Sequence, residues 1–256
     1  MLRRFRPNPV TSFVVISCLS IWIVALWPSK SFWLDCYCRL PVATESEICT
    51  ILFNGNAAHY NIESRARKLI FWLDENGNHL KAMKILNGLL DWEIKEYGSR
   101  AEPVGECLML YNSVDQSGTI AGDTWIHLCQ HANEQLSRHV APEVNSTKTR
   151  KTWGVQMEFA RGYSNHKCWT QANQNLALAA DNVERTNGLD SIGSFDIQYL
   201  VAKNLYESGN KPGALDMIRN INLRKNMLSV RQKLTPEARK LLESDVAALE
   251  KSINSN

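Results

Sequence analysis

Apolar positions recur at helical spacing along most of this chain, in short blocks separated by glycine, proline and polar turns. The clearest block is Tyr199–Ile221, YLVAKNLYESGNKPGALDMIRNI. Val201, Ala202 and Leu205 make one stripe, and Ala214, Ile218 and Ile221 make another at spacings of four and three. Gly209 stands where the first helix must end. Pro212 stands where the second can begin, because a first-turn residue has no use for its N–H. Two short helices folded back on each other and meeting at small alanines are therefore predicted. A pair of this size cannot bury its own apolar face and needs a neighbour built like itself.

The same pattern supplies neighbours. Ile62, Ala66, Leu69, Ile70 and Leu73 predict a helix ended by Asn76-Gly77, and Leu80, Ala82, Ile85, Leu86, Leu89 and Leu90 predict its partner. A third pair follows from Val155, Phe159, Ala160 and Tyr163, a polar turn at Ser164–Lys167, then Trp169, Ala172, Leu176 and Ala179. The interval from Ala172 to Ala214 is 42 residues. The second pair, Val104–Asn133, is less regular: Leu108, Leu110 and Tyr111, a turn at Ser117-Gly118, then Ala121, Trp125, Leu128 and Ala132. Either Gly122 or Thr124 stands there where the other pairs place alanine. Ala141–Lys151 reads as a polar break carrying the glycosylation triplet Asn145-Ser-Thr, and Ala180–Phe195 as a long inter-repeat loop. Near the end, Thr235-Pro236-Glu237 supplies a cap, a first-turn proline and an acid at the positive end of a helix. Ala238, Leu242, Val246, Leu249 and Ile253 then form one narrow stripe on a charged helix, as a terminal cap requires.

Phe159-Ala160-x-x-Tyr163 with Ala172, and Val201-Ala202-x-x-Leu205 with Gly209 and Ala214, resemble tetratricopeptide repeats. The 42-residue interval, with Glu93-Ile-Lys-Glu-Tyr-Gly98 leading to Val104 and Leu108, is similar to the longer repeat of kinesin light chains. Pro103 departs by one residue from the family's proline position. The resemblance spans Ile62–Ile221, three repeats well and one poorly. It implies an all-α fold: a right-handed α-solenoid of about four antiparallel helix pairs plus a C-terminal capping helix. It also implies a concave face that binds peptides or proteins, in a family with few enzymes.

The N-terminus changes the picture. MLRRFRPNP has three arginines and no acid, and Val10–Trp27 follows with 18 residues and no charge. As a helix that run is roughly 27 Å long, just under the ~30 Å hydrocarbon core. Trp22, Trp27, Phe32 and Trp33 are placed for the far interface. A cleavable signal would have a shorter apolar run and a small-residue cut site, which Ala25-Leu-Trp-Pro does not offer. Val15-Ile16-Ser17-Cys18 suggests a lipoprotein signal, but apolar and small residues continue past the cysteine. An Arg-rich start also resembles a mitochondrial presequence, against which the long uncharged run argues. The run length favours an uncleaved transmembrane helix, with the N-terminus in the cytoplasm and the bulk of the chain outside it. The expected order is a basic tail over 1–9, an anchor over 10–27, a linker over 28–61, repeats over 62–221 and a capping segment over 222–256.

Composition narrows function only a little. The 256 residues are 44% hydrophobic and 21% charged, which excludes a disordered chain, and the net charge of +3 is too small to argue for nucleic acid. In the linker, a disulfide from Cys49 to Cys36 or Cys38 suits an extracytoplasmic segment, while a Cys-x-Cys metal site lacks a histidine nearby. Cys107, Cys129 and Cys168 fall inside helical patterns and are expected as buried small hydrophobes. No Gly-rich phosphate loop, G-x-S-x-G elbow or C-x-x-C pair is present, and no cofactor is expected.

Two function classes remain. The first is a membrane-anchored interaction scaffold or adaptor. In the fold the resemblance implies, Arg67, Phe71 and Asp74 face the groove from the first pair, Met157, Arg161 and Ser164 from the third, and Tyr199, Lys203 and Tyr206 from the fourth. Three cations one repeat apart, interleaved with aromatics, suit a protein or peptide partner with acidic groups or a free carboxylate. The second class is an extracytoplasmic metal-binding protein or metalloenzyme built on His127-Leu-Cys-Gln-His131, two histidines on one helix face. That reading lacks the metalloprotease glutamate and needs a third ligand such as His139. His59, His79 and His166 stand isolated in the sequence.

Overall fold

The computed structural model describes residues 38–39, 43–53, 59–141, 152–188, 191–225 and 234–255. The basic tail, the apolar run Val10–Trp27, Cys36 and the Asn145 triplet lie outside the described residues. Among the described residues every regular element is helical, and no helix is long and apolar enough to cross a membrane.

The helices are α1 (Glu45–Phe53), α2 (His59–Glu75), α3 (His79–Tyr97), α4 (Glu102–Leu110), α5 (Gly122–Val140), α6 (Trp153–Asn165), α7 (Trp169–Asn187), α8 (Ile192–Glu207) and α9 (Lys211–Lys225). A last segment runs from α10 (Pro236–Lys240) through a π-helical turn at Leu241–Asp245 into α11 (Val246–Ser255). Consecutive helices pack as adjacent pairs: α2 with α3, α4 with α5, α6 with α7, α8 with α9. Each pair meets the next through α3 on α4, α5 on α6 and α7 on α8.

The segment expected as a linker contains a helix. Residues 45–53 form α1, which packs on α3 and α2 and buries Ile48 and Leu52. A reciprocal cap starts it: Glu47 Oε2 accepts from the Thr44 N–H at 2.9 Å, and Thr44 Oγ1 accepts from the Glu47 N–H at 3.3 Å. The predicted loop over Ala180–Phe195 is also mostly helix. α7 continues to Asn187 and α8 begins at Ile192, because apolar Val183 and Phe195 are both drawn into the core.

Pairs one, three and four turn identically. Asn78, Cys168 and Asn210 donate their N–H groups to Leu73, Tyr163 and Leu205, and Gly77, Lys167 and Gly209 donate to Asp74, Ser164 and Tyr206. This is a Schellman closure, and it needs a left-handed residue at its second-last position. Gly77 (φ +74°), Lys167 (φ +58°) and Gly209 (φ +90°) supply it. Two links between pairs also match. Gly98 and Gly188 end α3 and α7 at φ 86°, ψ 151° and φ 82°, ψ 162°, a region open essentially to glycine alone.

The second helix of each pair opens in one register. The carbonyls of Asn78, Ala121, Cys168 and Asn210 accept the first helical bonds from Ala82, Trp125, Ala172 and Ala214. Three of these are the predicted alanines, all fully buried. In the second pair the position belongs to Trp125, neither Gly122 nor Thr124. The reason is a close approach at the start of α5: a Cβ on Gly122 would stand 3.1 Å from the His166 carbonyl. The indole packs flat on the His166 ring, 3.5 Å between centroids, and so fills the space of the crossing.

The C-terminal stripe buries Leu242, Val246, Leu249 and Ile253 with Phe195, Ala202, Ala214, Ile218 and Ile221. Apolar residues spaced by four drift around an α-helix, and one wider π-turn brings them back into line. Leu80, placed in the first pair's stripe by its spacing, is half exposed at the start of α3.

Candidate functional site

The helices that open the first, third and fourth pairs (α2, α6, α8) carry the residues expected to face a groove, and their surroundings differ along the array. Arg161, Ser164 and Lys203 line one open cavity of about 420 Å³, together with Asn112, Lys167 and Trp169. Arg161 Nη1 bonds Glu158 Oε1 at 2.8 Å, and Lys203 Nζ lies 3.8 Å from Glu207 Oε1. Both cations stay substantially exposed, at 39% and 49% of the side chain, so their charge reaches solvent. Asp196 stands near Arg161; burial raises its carboxyl above the usual range and the guanidinium partly offsets this.

The other expected groove residues separate from that cavity. Met157 is almost fully buried among Ala160, Leu176 and Ala179, so it belongs to the packing. Tyr199 and Tyr206 pack against the cluster that holds the C-terminal helix, and the Tyr206 hydroxyl lies 3.2 Å from Ser252 Oγ. Phe71 is exposed on α2. Arg67 is held by its own neighbours: Glu63 at 2.9 Å, Glu106 at 3.2 Å and Glu93 at 3.7 Å. Three acids surround one guanidinium there. Glu93 is wholly buried, and burial pushes its carboxyl up to about 8 against the pull of Arg67.

Asp74 belongs to a different assembly, built where the first three pairs turn. Its Oδ1 accepts the Asp115 N–H at 2.9 Å and lies 2.6 Å from His79 Nδ1. Asp115, at φ +50°, is the hub. Its carboxylate accepts the Thr119 N–H and hydroxyl at 3.0 and 2.6 Å, the Ser117 hydroxyl at 3.1 Å and the Ile120 N–H at 2.6 Å. His166 Nε2 lies 3.1 Å from Asp115 Oδ2, and His166 Nδ1 lies 2.8 Å from the Gly162 carbonyl. Burial alone would raise the Asp115 carboxyl, but the bonds from Thr119, Ile120 and His166 outweigh it and hold the group well below the usual range. Both ring nitrogens of His166 thus face oxygen atoms, the Gly162 carbonyl and the Asp115 carboxylate. Trp125 covers the face of that ring.

His79 and His166, isolated in the sequence, are thus brought to one cluster. Asp115-Gln-Ser-Gly-Thr119 carries the signal that could have shown it, an acid folding back onto backbone N–H groups beside a glycine. The histidine pair fares differently. His127 is exposed on α5, His131 Nε2 stands 2.7 Å from Asp91 Oδ1, and His139 is buried with Nδ1 3.0 Å from the Ser99 carbonyl. Among the described residues no group of three or more His, Cys, Asp or Glu side chains is arranged to hold a metal ion. Cys107, Cys129 and Cys168 are buried, and burial raises all three thiols. Cys49 is half-buried with a free thiol and Cys38 is buried.

No protein-family model matches this chain, and no curated protein matches it in sequence.

Proposed function

We propose that this chain is a membrane-anchored protein–protein interaction scaffold. In this reading residues 62–221 form a right-handed α-solenoid of tetratricopeptide type, capped by the C-terminal helix. The groove lies outside the cytoplasm and takes a protein or peptide partner with acidic groups. The observation that carries the reading is the cavity where Arg161, Ser164 and Lys203, from two successive pairs, come together. The repeated Schellman turns and the common register of Ala82, Ala172 and Ala214 support the solenoid. Arginine and lysine at half-exposed positions suit carboxylates, since a partner's charge can replace the weak surface pairs with Glu158 and Glu207.

A photo-crosslinking residue placed at Ser164 tests this in cells. The same partner band should form from Ser164, weaken in Arg161→Ala and Lys203→Ala backgrounds, and be absent when the crosslinker replaces exposed Leu178 on α7. Crosslinks from Leu178 alone would move the interface off the groove. For topology, a reporter active only after export and fused behind Asn256 should be active. Activity of a cytoplasm-only reporter there would reverse the orientation.

A further inference from the structure

Arg67 on α2 uses its guanidinium unevenly. One nitrogen, Nη2, meets three acids: Glu63 at 2.9 Å, Glu106 at 3.2 Å and Glu93 at 3.7 Å. Nη2 carries two N–H bonds, and Glu63 and Glu106 stand close enough to take both. Nε is buried and has no hydrogen-bond partner. Yet Nε and Nη2 together make the edge with which arginine grips a carboxylate at two points. The third acid, Glu93 on α3, is wholly buried and lies just beyond hydrogen-bond reach of Nη2. A movement of about 1 Å would bring the two to charge-assisted bonding distance.

We infer that Arg67 is a two-position switch: with Glu93 protonated it ties α2 to α4 through Glu106, and with Glu93 ionised it turns its Nε–Nη2 edge onto Glu93 and releases Glu106. The hydrogen count decides which partner is lost. Gripping Glu93 takes the Nε–H and one Nη2–H, and leaves Nη2 a single bond for Glu63 or Glu106. Glu63 is the nearer and lies one turn away on the same helix. Glu106 is farther, belongs to another helix and has its side chain 49% exposed, so water can replace the guanidinium. The groups facing Glu93 set which position holds. Burial raises its carboxyl to about 8; Arg67 on α2 opposes this, while Glu63 on α2 and Glu106 on α4 reinforce it. The Cys107 thiol beside it on α4 is raised by burial as well. On α3 itself, Tyr97 is raised by burial and then by Glu63, Glu93 and Glu96. The other helices touch α3 elsewhere: α1 puts Cys49 at Gly88 and Phe53 on Trp92, and α5 puts His131 on Asp91. As pH rises through about 8, Glu93 gives its proton to solvent and Arg67 follows the new charge. The bond from Arg67 to Glu106 joins the first helix pair to the second, so its loss loosens that junction. Glu106 also borders a cavity of about 420 Å³ with Glu102, Met109 and Val155, and once released it adds its charge to that wall. The switch needs no partner and stands whether or not the groove binds a peptide.

NMR of the full chain in detergent micelles, isotope-labelled in arginine and glutamate, tests this. Across about pH 6 to 10 the Arg67 Nε–H signal should shift in one step with a midpoint of about 8, and the Glu106 carboxyl carbon should shift in the same step. Glu93→Gln should abolish both steps. Glu106→Gln should keep the Arg67 step. Arg67→Lys retains the charge but lacks the two-point edge, and should keep the Glu93 titration while removing the Glu106 step. A parent chain in which Glu93 titrates while Arg67 and Glu106 stay flat overturns the switch. So does a parent with no Glu93 step in that range, or a Glu106 step that survives in Glu93→Gln. The first two outcomes are read in the unaltered chain, so a variant that fails to fold does not shield the inference.

Discussion

The second helix pair and the other three bring their helices around with different chemistry. Pairs one, three and four use backbone bonds that reach at most five residues back, so each turn is satisfied by its own sequence. From Leu73, Tyr163 and Leu205 to the register alanines the interval is nine residues, but from Tyr111 to Trp125 it is fourteen. The extra length carries Asp115 to Asp74, 41 positions back, and to His166, 51 positions ahead. A local turn can form before its neighbours exist. The Asp115 turn cannot, because half its partners belong to the pairs on either side. Irregularity in one pair is therefore what ties three of them together.

The largest effect should come from cutting that tie. Asp115→Ala leaves His166 Nε2 and the Thr119 and Ile120 N–H groups without their partner, and should cost about 3–5 kcal/mol in denaturant unfolding. A loss no greater than that of Gly209→Ala, about 1 kcal/mol from strain at a left-handed position, would show that the second turn is held as the others are.

Packing at the register positions comes next. Ala172→Leu and Ala214→Leu should each cost about 1–3 kcal/mol by overpacking a fully buried crossing. A change near zero at either position would break the alignment of the four pairs.

Glu93 sharpens the contrast between two buried acids, one raised by burial and one held down by its hydrogen bonds. Its carboxyl is raised to about 8, so the folded chain holds a proton that the unfolded chain has already released above its ordinary range. Stability should therefore fall as pH rises from about 4.5 to 8, by about 1.4 kcal/mol per pH unit at most from this group. Thermal melts across that range should show the slope, and Glu93→Gln should flatten it. An unchanged slope in the variant assigns the dependence elsewhere. Asp115 is opposite in sign. Its depressed carboxyl stabilises the fold above its unfolded range, and that contribution disappears only in strong acid.

The smallest effect concerns the one Schellman turn without glycine. Lys167→Gly should stabilise by up to about 1 kcal/mol, since Lys167 holds a left-handed conformation that glycine adopts without strain. Loss of stability instead would mean that the lysine stem contributes packing which outweighs the strain.

Much of the fold was legible because it is periodic. The stripes of the first, third and fourth pairs, the stops at Gly77 and Gly209 and the C-terminal stripe all depend on residues within one turn of each other. The helix α1 was missed because nine residues with two buried side chains give too short a period to separate from a loop. The Trp125 register was missed because a bulky aromatic at an alanine position is tolerated only by the stacked His166, a partner 41 residues away. Of the nine residues that the resemblance placed on a groove, Arg161, Ser164 and Lys203 line one cavity. Spacing could not show that Arg67 is surrounded by three acids contributed from α2, α3 and α4.

The buried apolar side chains do not form one continuous body. One cluster runs from Cys38 to Ala172, another joins Phe195 to Ile253, and a small third, Met157 to Ile197, lies between them. Each boundary is a seam, and hydrogen exchange should find the cluster of α9 and the C-terminal helix opening before the larger one. Arg161 lies on one side of these seams and Lys203 on the other. A ligand that engages both would act as a clasp, slowing exchange in α8 and also in α9, which lines none of that cavity.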